Sequence, residues 1–174
     1  MTRLDELTIR SLGVIDEARV PVGAGFTAIT GETGAGKTML VQALALLRGE
    51  RADAGVIRAG EERAAVQGVW IVDDAEAVAL VEDAGGSVDD GELILGRALT
   101  RTGDGAGRSR AQAGGAAVPA GLLRRTLRLL LRTNLFVAAG VVSLGAWVAR
   151  TEGVAPAMLP LVVLGCGTLV IYNL

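Results

Sequence analysis

Phe26-Thr27-Ala28-Ile29-Thr30-Gly31-Glu32-Thr33-Gly34-Ala35-Gly36-Lys37-Thr38-Met39-Leu40-Val41-Gln42-Ala43-Leu44-Ala45-Leu46-Leu47 carries the main clue to the architecture. It opens with a short, mostly apolar, β-prone run, the pattern of a buried strand. Residues 39–47 are apolar nearly all round and rich in helix formers, and Arg48-Gly49 stops them, so they read as a buried helix. Between the two, Gly31 to Thr38 fit G-x-x-x-x-G-K-[ST] at every fixed position. A strand feeding a glycine-rich loop that opens a helix is the setting in which this pattern means a phosphate-binding loop.

The chemistry explains the residue types. Glycines allow backbone angles closed to other residues and let the chain approach phosphates closely. Successive backbone N–H groups then point at the phosphate oxygens, helped by the positive end of the following helix. Lys37 is the chain's single lysine, and arginine supplies the other 16 of its 17 basic residues. A compact ammonium on a flexible stem suits this place better than a wide planar guanidinium. The pattern predicts that Gly31, Glu32, Thr33, Gly34, Ala35, Gly36, Lys37, Thr38 and Met39 line a nucleoside triphosphate site. Lys37 reaches the β- and γ-phosphates of ATP, and the Thr38 hydroxyl coordinates Mg2+. Binding is not hydrolysis, which also needs a carboxylate to hold the metal and a group to position water. The nearest match to such a carboxylate is Asp73-Asp74 after Val69-Trp70-Ile71-Val72; a strand running into an acidic surface loop accounts for it better. No catalytic residue is assigned.

On either side of the loop, residues 4–10 and 14–22 read as strands with Gly13 as the turn between them, and 66–72 and 92–100 as further strands. Residues 73–83 are acidic and read as a solvated helix or loop, and 108–113 as the return strand of a hairpin. Val118-Pro119 has the look of a helix start, with proline in the first turn.

Composition divides the chain. Hydrophobic residues make up 51% of the 174, and mean hydropathy is +0.46. Residues 1–123 carry 12 basic and 18 acidic groups, whereas 124–174 carry 5 and 1. Two physical environments in one chain are expected from such asymmetry. Residues 124–132 interleave Arg124, Arg125, Arg128 and Arg132 with leucines and read as a basic amphipathic linker helix. Residues 133–149 and 157–174 are uncharged apolar runs near the lower length limit for crossing a bilayer. With four arginines before the first, they predict two membrane spans, N-terminus inside, the first domain cytoplasmic and the chain anchored in the inner membrane. No signal-peptide core precedes the lobe. The absence of histidine excludes histidine-based catalysis, and the lone Cys166, in an apolar run, reads as a small buried hydrophobe.

Leu7-Thr8-Ile9-Arg10-Ser11-Leu12-Gly13-Val14-Ile15-Asp16-Glu17-Ala18, with the loop and the later Arg51-Ala52-Asp53-Ala54-Gly55, Ile57-Arg58-Ala59-Gly60, Gly107-Arg108-Ser109-Arg110-Ala111 and Val118-Pro119, resembles the opening of the RecN family. These are SMC-like ATPases with an ABC-type head, acting in bacterial DNA repair. The resemblance covers roughly residues 1–123 and leaves 124–174 unmatched. It implies an α/β fold: part of an ABC/SMC-type head lobe, a mixed sheet plus the phosphate-loop helix, followed here by the basic helix and an apolar two-helix hairpin. It implies ATP and Mg2+ as ligands, a second head as dimer partner, DNA as a partner of the family, and Arg51 near the nucleotide. The family's glutamine loop, signature motif, coiled-coil arms and second set of metal carboxylates have no match here. The leading expectation is a head segment that binds ATP without turning it over, joined after about residue 123 to an unrelated segment in the lipid bilayer. A membrane-anchored nucleotide-binding regulatory module, or a small membrane protein with a vestigial phosphate-loop lobe, are the alternatives.

Overall fold

The computed structural model describes residues 2–22, 24–29, 35–102, 107–131 and 169–173. In chain order the elements are β1 (Arg3–Leu12), β2 (Ile15–Pro21), β3 (Gly25–Ile29), α1 (Ala35–Leu47), a 3-10 turn (Ala54–Val56) and β4 (Arg63–Ile71). They continue with α2 (Ala75–Glu82), β5 (Glu92–Arg101), β6 (Gly107–Ala113), β7 (Ala116–Val118), α3 (Ala120–Leu130) and β8 (Leu169–Asn173).

Alternation of apolar and polar residues builds the main sheet. Leu7 and Ile9 of β1 are buried while Arg10 is exposed; β4 buries Ala64, Val66 and Trp70, and β5 buries Leu93, Leu95 and Leu99. Six strands pair in the order β2-β1-β4-β5-β6-β7, every neighbour antiparallel. Register fixes the two faces. Leu7 opposite Gly68 and Gly68 opposite Leu95 lie on the inner face; Thr8 opposite Gln67 and Gln67 opposite Gly96 lie on the outer one. The inner face is covered by α1, which packs on β1, β4 and β5, and by α3, which packs on β6, α1 and α2. The expected strands and hairpin are all present, within a residue or three of their predicted bounds. The acidic 73–83 segment holds the helix α2, with Ala77 and Val81 turned into the core.

Two glycines set where α1 lies. Gly13 sits in the β1–β2 turn at φ 56°, and a Cβ there would overlap Met39 Sδ. Gly49 ends α1 at φ 74°, and a Cβ there would overlap the Ala120 carbonyl oxygen at the start of α3. Arg124 Nη2 donates to Gly49 O at 2.9 Å, so the C-terminus of α1 is tied to the first turns of α3.

The tail differs from expectation. The helix anticipated over 124–132 begins at Ala120 and ends at Leu130, with Pro119 as its N-cap residue. Leu123, Thr126, Leu127 and Leu130 are buried in the common core, and Arg124, Arg125 and Arg128 face outward. Its apolar stripe covers the sheet and neighbouring helices. The expected span over 133–149, and Arg132, lie outside the described residues, as does most of 157–174. The end of that second run, Leu169–Asn173, is a strand and not a helix: β8 pairs antiparallel with β3, from Gly25 opposite Asn173 to Ile29 opposite Leu169. Leu-Val-Ile-Tyr is rich in β-branched and aromatic residues, and β3 offers it an edge to pair with. Among the described residues no helix is long and apolar enough to cross a membrane.

Candidate nucleotide site

Strand β3 points the chain into residues 30–34, and α1 opens directly after them at Ala35. Gly31, Glu32, Thr33 and Gly34 lie outside the described residues. Ala35, Gly36, Lys37 and Thr38 form the first turn of α1, with Lys37 half-buried and Thr38 exposed.

The first turn of a helix carries backbone N–H groups without partners inside the helix and the positive end of its dipole. Stability alone favours Asp or Glu there and disfavours Lys. This turn has no acidic residue and carries Lys37. Gly36 is a second departure. Glycine in a helix costs about 1 kcal/mol against alanine, yet a Cβ at Gly36 would meet nothing within 4 Å. No packing against the described residues demands glycine at that position. The turn gives up helix stability twice, no described residue packs where a Gly36 side chain would lie, and backbone N–H groups beside a lysine are chemically suited to an oxyanion.

Met39, expected with the site, packs against the β1–β2 turn at Gly13. Arg51 sits on the segment that returns from the far end of α1. That segment leaves Gly49 beside Ala120 and comes back to the β1–β2 turn, where Gly13 N donates to Val56 O at 2.8 Å. Arg58 holds this return in place: its N donates to Ser11 O at 2.9 Å and its Nη1 to Val14 O at 2.7 Å. Asp53 caps the 3-10 turn, its Oδ1 accepting from Gly55 N at 2.9 Å. Arg51 itself is exposed and makes no hydrogen bond or ion pair with the described residues.

The acidic pair after β4 is engaged structurally. Asp73 Oδ1 accepts from Thr2 Oγ1 at 2.8 Å. Asp74 Oδ1 caps α2, accepting from Glu76 N at 2.9 Å and Ala77 N at 3.1 Å. Among the described residues no three acidic, cysteine or histidine side chains are grouped to hold a metal.

One inward cation has no counterpart in the sequence expectations. Arg97 is 5% exposed on the inner face, between Val66 and Ala111 in register. Its Nη2 donates to Ser109 Oγ at 3.0 Å, while Nε and Nη1 are buried without partners among the described residues. Burial lowers its pKa. The signal is present in the sequence: 93, 95 and 99 are inward leucines, so 97 falls on the same face.

Comparison with known proteins places this geometry. A family model described as an AAA domain matches residues 6–66. The chain is 51% identical over 118 residues to the DNA repair protein RecN of Streptomyces coelicolor, covering 67% of this chain and 20% of that protein. It is 46% identical over 124 residues to RecN of Mycobacterium tuberculosis strain H37Rv, again covering 67% and 20%. The chain thus spans about a fifth of the length of the curated relatives it matches. Among solved structures, an SMC ATPase studied for ATP-driven dimerization and DNA-stimulated activation superposes with a TM-score of 0.55 at 21% identity, covering 74% of this chain and 79% of that one. That likeness concerns the fold: an antiparallel sheet with helices, as in the SMC head lobe.

Proposed function

The N-terminal two thirds of this chain match RecN, an SMC-like ATPase, and from that premise we propose that it is a nucleotide-binding head segment holding Mg-ATP on the first turn of α1. The observation that carries the proposal is that turn: glycine where no packing among the described residues needs it, lysine where the helix dipole opposes it, and no acidic residue within the turn itself. Lys37 and the backbone N–H groups of the loop hold the β- and γ-phosphates, and Thr38 offers its hydroxyl to Mg2+. When bound, the metal neutralises phosphate charge. The chain's own part is to bind and orient the triphosphate.

Turnover is a separate matter. Phosphoryl transfer needs a metal carboxylate and a residue that orients water. Asp73 and Asp74, the nearest match by pattern, are committed to Thr2 and to the α2 cap. The reading is therefore binding without hydrolysis by this chain alone, with a second head required to complete a catalytic site. A role in DNA repair comes with the family and belongs to the same proposal, as does a cytoplasmic setting for residues 1–123. We assign Arg51 to the neighbourhood of the nucleotide from family likeness; its segment returns to the β1–β2 turn, on which Met39 of α1 packs.

The test is a phosphate-release assay beside a binding assay. Mg-ATP is expected to bind, Thr38→Ala to bind ATP with its Mg2+ dependence lost, and neither form to release phosphate above the uncatalysed rate. Steady phosphate release abolished by Lys37→Ala would contradict the absence of turnover.

A further inference from the structure

Arg97 is a buried cation with most of its hydrogen-bonding capacity unused. Its Nη2 donates to Ser109 Oγ at 3.0 Å, while Nε and Nη1 are buried and meet no acceptor among the described residues. A buried guanidinium without a carboxylate is an uncompensated charge, the costly half of an ion pair. Ser109 accepts in its bond to Arg97, which leaves its hydroxyl proton free to donate elsewhere.

The guanidinium borders a cavity of about 430 Å3 between β6, β7 and the start of α3. Ser109 and Arg110 also line it, the remaining wall is alanine, valine and proline, and no acidic residue takes part. The shortness of β7 leaves this room. It pairs only with residues 111–113 of β6, so residues 107–110 have no strand on that side among the described residues.

The start of α3 brings a second, independent feature to the same place. Pro119 occupies the N-cap position without a side-chain cap hydrogen bond, and the first turn holds no acidic residue. The N–H groups of Ala120 and Gly121 have no carbonyl behind them in the helix; the first bond of this turn is Leu122 N to Pro119 O at 2.9 Å. The positive end of an 11-residue helix is thus left uncapped, and Pro119 and Ala120 at that end line the cavity with Arg97.

We propose that this cavity binds a small carboxylic acid with an apolar body, its carboxylate held by Arg97, the Ser109 hydroxyl and the uncapped start of α3. Arg97 offers a planar fork to a planar carboxylate, and one buried cation balances one negative charge. Arg110 is exposed, so water screens its charge. A phosphate dianion would keep charge uncompensated and set its remaining oxygens against alanine, valine and proline. A short hydrocarbon chain fills that wall instead, the usual division of a ligand pocket into apolar lining and a few orienting polar groups. The site is separate from the phosphate loop. α1 has 13 residues and is about 20 Å long; the loop opens at its first turn, whereas α3 starts against Gly49, just past its other end. Nucleotide and acid therefore do not compete, and the site stands or falls apart from the ATP reading.

The experiment follows the carboxyl carbon of isotope-labelled butyrate by NMR as the full chain is added at neutral pH. A saturable shift with a Kd of about 1 mM or tighter is expected, and uncharged butyramide is expected not to bind. Arg97→Met, with an unchanged circular dichroism spectrum, weakens binding about tenfold or more. Ser109→Ala weakens it about threefold. Pro119→Asp supplies the missing cap carboxylate from the chain itself and weakens binding to a similar degree. These last two positions are exposed and carry the test should Arg97→Met not fold. Saturating Mg-ATP leaves the titration unchanged. The proposal is overturned if the parent chain gives no saturable shift, if butyramide binds as butyrate does, or if the folded variants bind as tightly as the parent. It is equally overturned if Mg-ATP displaces butyrate, or if inorganic phosphate displaces it at concentrations below the butyrate Kd, which would make this a phosphate site.

Discussion

Gly36 is where stability and function pull in opposite directions. It lies in a helix, and a methyl group added there would meet none of the described residues within 4 Å. Gly36→Ala is expected to raise folding stability by about 0.5–1 kcal/mol while weakening Mg-ATP binding, because glycine is the residue that lets the backbone come closest to a phosphate. Urea denaturation and an ATP titration on the same variant check both halves; a variant that loses stability would show that the protein itself uses the space. Gly13 is the converse. With φ at 56° and Met39 Sδ in the way, Gly13→Ala should destabilise by at least about 1 kcal/mol, read as a lower denaturation midpoint. Arg97 gives a third outcome for a single side chain. Its buried Nε and Nη1 are unmatched among the described residues, so Arg97→Met should leave stability unchanged or higher. The sign of its titration is fixed as well. A cation with a lowered pKa in the fold costs stability while charged, and that cost lifts only as pH rises past the lowered pKa.

Elements differ in how far local sequence specifies them. β4 and β5 have an inward set at every second residue, so each strand is legible without its neighbours, whereas β1 alternates only over Leu7 and Ile9 and carries a register shift between Leu4 and Glu6. The phosphate-loop pattern is local in the same way, and the strand before it and the helix after it are both present, as β3 and α1. α3 is legible as a helix but not in its docking. An apolar stripe of Leu123, Leu127 and Leu130 beside three outward arginines has the same pattern whether it faces a core or a membrane surface. Only tertiary contacts decide. Residues 169–173 mislead because an uncharged run scores by length and hydropathy, while the edge that pairs with it, β3, lies near the other end of the chain. α2 yields a prediction of its own. Asp74 caps it through two backbone N–H groups, so Asp74→Ala should cost about 1 kcal/mol in a denaturation experiment and leave ATP affinity as it was. A loss of nucleotide binding instead would restore Asp74 as a metal-site candidate.

Across the molecule, the inner face of the sheet has two tasks. It seats α1 and so sets where the first turn of that helix opens, and it carries Arg97 to the cavity beside the start of α3. The second of these is invisible in linear sequence, because register across three strands brings residues 97, 111 and 118 into one row. The chain covers about a fifth of the length of its RecN relatives. The decisive measurement is a calorimetric titration of Mg-ATP into the chain and into its Lys37→Ala variant. Saturable binding is expected for the parent and none for the variant, both folded; equal affinity for the two would remove Lys37 and the first turn of α1 from the site and overturn the assignment of this chain as an ATP-holding head segment.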